Sequence, residues 1–214
     1  MKRVASLFCV ASLILIGGCA YDAPTEISAS YSVYSNYNDK IPGIYGLHVD
    51  AEKMKQDVKA VGTGQCSAYS YPVDARNAFT QSVYGTFENL VEEMRSVDNL
   101  ISAANLQTQG IDGMIIIKVE NWEADFTPIP TGWVWLLEAD SEITASIQVI
   151  GHKGNLLGST IEASDEHSHS AGLWCEGGSV AVSKSVEASM KKAMDRLGER
   201  LTNSVRVREA APRN

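Results

Sequence analysis

From Ile143 to Ala163 the chain alternates with period two. Ile143, Ala145, Ile147 and Val149 fall on one face of an extended strand, and Thr144, Ser146 and Gln148 on the other. Gly151-His152-Lys153-Gly154-Asn155 is hairpin-turn chemistry, and Leu156 to Ala163 reads as the return strand. Upstream, Gly113-Met114-Ile115-Ile116-Ile117-Lys118-Val119 is apolar enough to be a central strand. The three together predict an antiparallel meander with one apolar face, and that face needs a covering layer.

Two helical stripes can supply it. After Pro72 and Asp74, a good N-cap type, the residues Ala78, Phe79, Ser82, Val83, Thr86, Phe87, Leu90, Val91 and Met94 recur at spacings of three and four. From Ser179 to about Val205 a second stripe runs through Val182, Val186, Met190, Ala193, Leu197, Leu201 and Val205, with Lys184, Lys191, Lys192, Glu199 and Arg200 on the solvated side. Further strands are expected over Ile27–Val33, Ile44–Val49 and Gln65–Tyr69. Ala51–Ala60 fits either a helix or an extended segment, and Leu100–Gln109 reads as a weak helical piece ended by Gly110. Pro128, Pro130 and Gly132 mark a loop before a strand that opens at Trp133, and Asp165–Gly178 reads as a polar loop. The expectation is one α+β domain over residues 26–207. It has a mostly antiparallel sheet with two main helices packed on one face, and a flexible tail at 208–214.

The N-terminus says where such a domain would sit. Lys2 and Arg3 precede an apolar run from Val4 to Ile16, which is the layout of an export signal. The run is too short to span a bilayer, which takes about 20 residues. Ile16-Gly17-Gly18-Cys19 resembles the lipobox of bacterial lipoproteins: a branched apolar residue, two small residues and a cysteine. The resemblance implies a signal peptide over 1–18, a diacylglycerol on the Cys19 thiol and a lipidated tether over 19–25. Acyl chains add about 0.8 kcal/mol per buried CH₂, and two or more hold a protein firmly. Ala20 rather than Asp follows Cys19, which by the same resemblance implies the outer membrane, facing the periplasm.

If Cys9 leaves with the signal and Cys19 carries lipid, Cys66 and Cys175 remain. An even pair in an oxidising compartment predicts a disulfide. It would close a loop of roughly 110 residues, for which chain entropy suggests a stabilisation on the order of 4–5 kcal/mol. A metal or redox pair is the rival reading, although the C-x-x-C spacing is missing. The net charge is −8, and removal of Lys2 and Arg3 makes the chain more acidic still. Such a chain is a poor binder of nucleic acid.

Motifs for chemistry are sparse. His167 and His169 share a face of an extended backbone within Asp165-Glu166-His167-Ser168-His169, as two metal ligands would, but sequence offers no clear third or fourth. G-x-S-x-G and H-E-x-x-H do not occur, and no catalytic residues and no cofactor are assigned. Trp133 and Trp135, beside Phe126, Pro128, Ile129 and Pro130, are expected on one strand face. They are either core or an interaction surface for protein, glycan or lipid. The reading is a lipid-anchored, non-catalytic accessory lipoprotein held to the membrane by Cys19 and binding an envelope protein partner. The alternative is a periplasmic binder of a small molecule, glycan or metal.

Overall fold

The structure, a computed structural model, describes residues 39–210. The expected signal, lipobox, tether and strand over Ile27–Val33 lie outside those residues. In chain order the elements are β1 (Ile41–Asp50), β2 (Lys55–Ala60), β3 (Ser70–Asp74), α1 (Arg76–Phe87) and β4 (Val91–Ser96). There follow α2 (Ala103–Leu106), which runs into a 3₁₀ turn at Gln107–Gln109, then β5 (Gly113–Thr131), β6 (Val134–Gly151), β7 (Gly154–Ser170), α3 (Gly177–Thr202) and α4 (Val205–Ala210). Among the described residues no helix is long and apolar enough to cross a membrane.

β5 is the spine of a seven-stranded sheet. One edge pairs with β6 from Gly113↔Gly151 to Thr131↔Val134, and β6 pairs in turn with β7. The other edge is shared by two strands placed end to end. β1 pairs along Gly113 to Lys118 and β2 at Asp125 and Phe126, both parallel to β5. β4 lies parallel outside β1, and β3 antiparallel outside β2. The sheet is therefore mixed, not mostly antiparallel. A period-two pattern reports which face a residue occupies, and carries no information on the direction of the neighbouring strand.

A bulge at Glu120 divides β5. Below it Ile115, Ile117 and Val119 face the main core, and above it Trp122 and Phe126 do. The extra residue changes the parity, so both halves cover the same side. α1 and α3 pack on that side through Phe79, Val83 and Phe87, and through Val182, Val186, Met190, Met194, Leu197 and Leu201. The two main helices thus share one face, as expected. A smaller cluster of Ile101, Leu106, Ile111 and Met114 covers the lower part of the opposite face.

Several expectations change. The first stripe is helical only to Phe87, and Val91–Ser96 is strand β4 beside β1. Asp74 closes β3 and pairs with Arg76 at 2.6 Å instead of capping α1, whose N-cap is Ala75. That pairing, chiefly the hydrogen bond from Arg76, holds the Asp74 carboxyl down at about 2. Ser70–Asp74, not Gln65–Tyr69, forms the strand before α1. β5 runs through Pro128 and Pro130. The Phe126 carbonyl accepts Val61 N–H from the β2 side, so by alternation the two proline nitrogens point to that side too, past the end of β2, where no ladder bond is lost. β7 extends to Ser170, so the loop carrying Cys175 is much shorter than Asp165–Gly178. α3 stops at Thr202. Val205 is exposed, Val207 is buried in α4, and Arg208 donates to the Asp39 carbonyl at 3.1 Å and pairs with its carboxylate, so the tail is held as far as Ala210.

The start of α3 tolerates no side chain. A Cβ at Gly177 would lie 1.6 Å from the Ser170 carbonyl oxygen, and one at Gly178 would lie 2.1 Å from the Tyr71 ring and hydroxyl. Gly178→Ala should lower the urea unfolding free energy by about 1–3 kcal/mol through overpacking. Gly158→Ala, where the nearest atom is 3.5 Å away, should leave it nearly unchanged.

Candidate interaction surface

Three chain segments meet at the end of the sheet where β5 finishes. The first is the β5–β6 turn. Gly132 takes φ +68, and Trp133 follows it at the tip, wholly exposed. The second leaves β7. Ala171 N–H donates to the Trp135 carbonyl at 2.8 Å, and Gly177 N–H returns to the Ala171 carbonyl at 3.1 Å. These two bonds close a small loop whose tip presents Leu173 (86% exposed) and Trp174 (71%). The third is the turn between β2 and β3, carrying Val61, Gly64 and Cys66. Gly64 lets the ring of Trp135 approach, since a Cβ there would come within 2.9 Å of it.

The predicted disulfide binds the second segment to the third. Cys66 and Cys175 are joined, with Cα atoms 5.6 Å apart. Both adopt left-handed backbone, φ 73 and 63, which costs a non-glycine residue about 1–2 kcal/mol. Tyr71, fully buried, donates its hydroxyl to the Cys175 carbonyl at 2.6 Å. The apex is thus a set of loops locked from beneath.

Trp133 and Trp135 do not share a face. Trp135 lies half-buried against the main core, and Trp133 projects into solvent from the turn. Trp174 is the functional candidate that sequence reasoning passed over. A signal for it existed: Lys, Arg, Asp and Glu are absent from residues 60–73, 126–137 and 167–175. Those three runs are the apex. Glu176 follows, and its carboxylate is occupied by loop amides: its own first, then Trp174 N–H at 2.9 Å and Leu173, which hold it below the usual carboxylate range.

His167 and His169 lie on β7 opposite Ala139 and Leu137, and both are exposed. They share a face as expected, on a strand and not in a loop. Among the described residues no set of three or more His, Cys, Asp or Glu is arranged to hold a metal ion. A groove of about 880 Å³ lies between β7 and the end of α3, lined by Glu162, Arg196, Glu199 and Arg200. Arg196 already donates to the Glu162 carbonyl there.

Below the apex, the sheet face away from α1 and α3 is acidic. Asp125, Asp140 and Glu166 stand directly opposite one another across β5, β6 and β7, and Glu123 faces Glu142 in the next row. Burial pushes Asp125 up, and repulsion from Asp140 and Glu123 adds to it. Glu166 is raised by a shared hydrogen bond with Glu138 and by its charge.

No family model matches this chain, and no curated protein does. Solved structures are similar in fold. The crystal structure of protein XCC0632 from Xanthomonas campestris, described as family DUF330, aligns with 84% of this chain and 92% of its own at 10% identity, TM-score 0.50. The hypothetical protein CT253 from Chlamydia trachomatis aligns with 73% of this chain and 95% of its own at 7% identity, TM-score 0.34.

Two outcomes follow from this geometry. Cys66→Ser with Cys175→Ser should reduce stability by roughly 2–5 kcal/mol in guanidinium unfolding, and reductant should act on the parent chain alone. Asp125 and Glu166 hold protons to higher pH in the folded chain than in the unfolded one. Their contribution is complete below the unfolded carboxylate pKa, about 4, and is lost as pH rises through the raised folded values. Asp125→Asn should therefore stabilise by roughly 0.2–1 kcal/mol at pH 7 and by much less at pH 4, as read from urea midpoints.

Proposed function

We propose that the chain is a lipid-anchored, periplasm-facing envelope protein with no catalytic role, which engages another envelope component through its apex. One observation carries this reading: the described chain enters at one end of the sheet, and the exposed tryptophan loops stand at the other. The chain comes in at Asp39, held by Arg208 beside the start of β1, at the Gly113 end of β5. The uncharged aromatic apex is at the Thr131 end of the same 19-residue strand, roughly 60 Å away. An anchor at Cys19 would thus hold one end while the other is presented. Locked loops favour binding, because little conformational freedom remains to be lost on contact.

The test is site-specific photocrosslinking in native membranes. A photoreactive residue at position 133 or 174 should give adducts, and one at Thr144 on the far sheet face should not. Cys19→Ala behind a cleavable signal should release the chain from the membrane fraction. Equal labelling from all three positions would remove the apex from the proposal, and membrane retention of the Cys19→Ala chain would remove the lipid anchor.

A further inference from the structure

We infer that the component engaged by the apex is the interface of a zwitterionic phospholipid bilayer, into which Trp133 and the Leu173–Trp174 tip insert. The inference rests on the apex being the working surface, and it is independent of lipid at Cys19.

Three observations carry it. The first is side-chain type and placement. Trp concentrates at the membrane–water interface, where its apolar ring and its N–H are both accommodated. Here the two exposed tryptophans stand at the tips of neighbouring loops, one wholly exposed and one 71% exposed. Neither supports the core.

The second is charge. A charged group carried into a bilayer is costly. The runs 60–73, 126–137 and 167–175 bring no carboxylate, ammonium or guanidinium to the apex. Glu176, just behind the Trp174 tip, has its carboxylate satisfied by loop amides. Surfaces that bind anionic lipid carry Lys and Arg, and this one has none. The acidic rows beneath it, with Glu138 and Glu166, would be repelled by an anionic surface. The apex therefore matches a neutral headgroup layer.

The third is shape. Trp133 projects with nothing packed around it, and the Leu173–Trp174 tip projects beside it from a separate loop. A protein partner would need a matching pocket for each tip, whereas a fluid interface closes around a wedge of any outline. The disulfide and the Ala171–Gly177 hydrogen bond fix that wedge before it meets its target.

If Cys19 is lipidated, the roughly 20 residues up to Asp39 reach at most about 70 Å, close to the length of β5. An anchored copy can then turn its apex back to its own bilayer or hold it against a facing one.

The experiment uses the full chain with Cys19→Ala and a cleavable signal, mixed with phosphatidylcholine vesicles. The parent chain should float with the vesicles, and its tryptophan emission should shift to the blue. Trp133→Ala with Trp174→Ala should lower the partition coefficient at least tenfold and leave the circular dichroism and urea midpoint unchanged. Trp133→Phe with Trp174→Phe should recover most of the binding, which separates loss of insertion from loss of fold. Replacing half the lipid with phosphatidylglycerol should weaken binding, and added salt should restore it. The inference is overturned if the parent chain does not float at millimolar lipid, or if the alanine pair floats as well as the parent. Tighter binding to the phosphatidylglycerol vesicles would also overturn it. A chain that ignores vesicles but crosslinks through position 133 to a protein has a protein-docking apex. That result refutes the bilayer inference and leaves the anchored-accessory reading intact. Vesicle binding in a chain shown to carry no lipid at Cys19 supports the inference and removes the anchor.

Discussion

β5 carries the pairing on which every other strand of the main sheet depends. One edge aligns β6 over its full length, and the other positions β1 and β2 end to end. A one-residue slip would exchange Ile115 and Ile117 for Met114, Ile116 and Lys118 on the covered face. The bulge at Glu120 solves a second problem. Without it, Trp122 and Phe126 would face away from α1 and α3, and Asn121, Glu123 and Asp125 would face the core. The Lys118–Glu120 ion pair and the bond from the Ser146 hydroxyl to Glu120 sit at this point of the ribbon. These polar contacts surround the bulge on the side that the helices leave open.

The same strand sets the geometry of the apex, because β5 and β6 outrun their neighbours. Past Phe126, β2 is finished and the ribbon continues with β6 alone on one side. A bare ribbon end is weak, and the chain braces it by other means. Trp135 lies over Gly64, Tyr71 reaches the Cys175 carbonyl, and the disulfide joins the flanking loops. Two left-handed cysteines cost about 1–2 kcal/mol each, against a cross-link worth on the order of 4–5 kcal/mol for a loop of this length. The balance favours order, and it places that order beneath the exposed tryptophans. Gly177 and Gly178 extend the brace into α3, which begins in direct contact with Ser170 and Tyr71.

What could be read from sequence follows from what each pattern measures. The β6–β7 alternation and the α3 stripe are long, local and periodic, and both elements formed. The α1 stripe extends too far in sequence because spacings of three and four continue through Leu90, Val91 and Met94, with no Gly or Pro after Gly85 to mark the stop. Only Asn89, whose amide donates to the Gly85 carbonyl, hints at it. Met54 and Val58 are four apart, a spacing that suits one helix face and one strand face equally, and both are buried. Parallel pairing of β1 with β4 and β5 joins segments about 50–70 residues apart, and no local pattern encodes it. The cysteine pairing was accessible because the expected signal and lipobox set aside Cys9 and Cys19, which leaves one partner each. Exposure of Trp133 was not, because the prolines before it read as a loop and moved the turn upstream.

An apex with two exposed tryptophans is also a hazard, since two copies could associate through it or along the free edge of β7. The acidic rows limit that hazard on the open sheet face below the apex. Asp125, Asp140 and Glu166 lie in direct opposition, an arrangement that costs the fold stability. Their charge adds to a chain that is already acidic overall, so two copies approaching on this face repel. The β7 edge is guarded separately. Lys192 donates to the Ser164 carbonyl at 2.8 Å and Arg196 to that of Glu162, which removes acceptors that an added strand would use. Repulsion between carboxylates falls off within about a Debye length, roughly 8 Å at physiological salt. It therefore acts when a second acidic copy comes close and hardly at all against a neutral partner. Asp125 lies six residues before the end of β5 at Thr131, roughly 20 Å below the turn, so this repulsion guards the sheet face and leaves the apex itself open to contact.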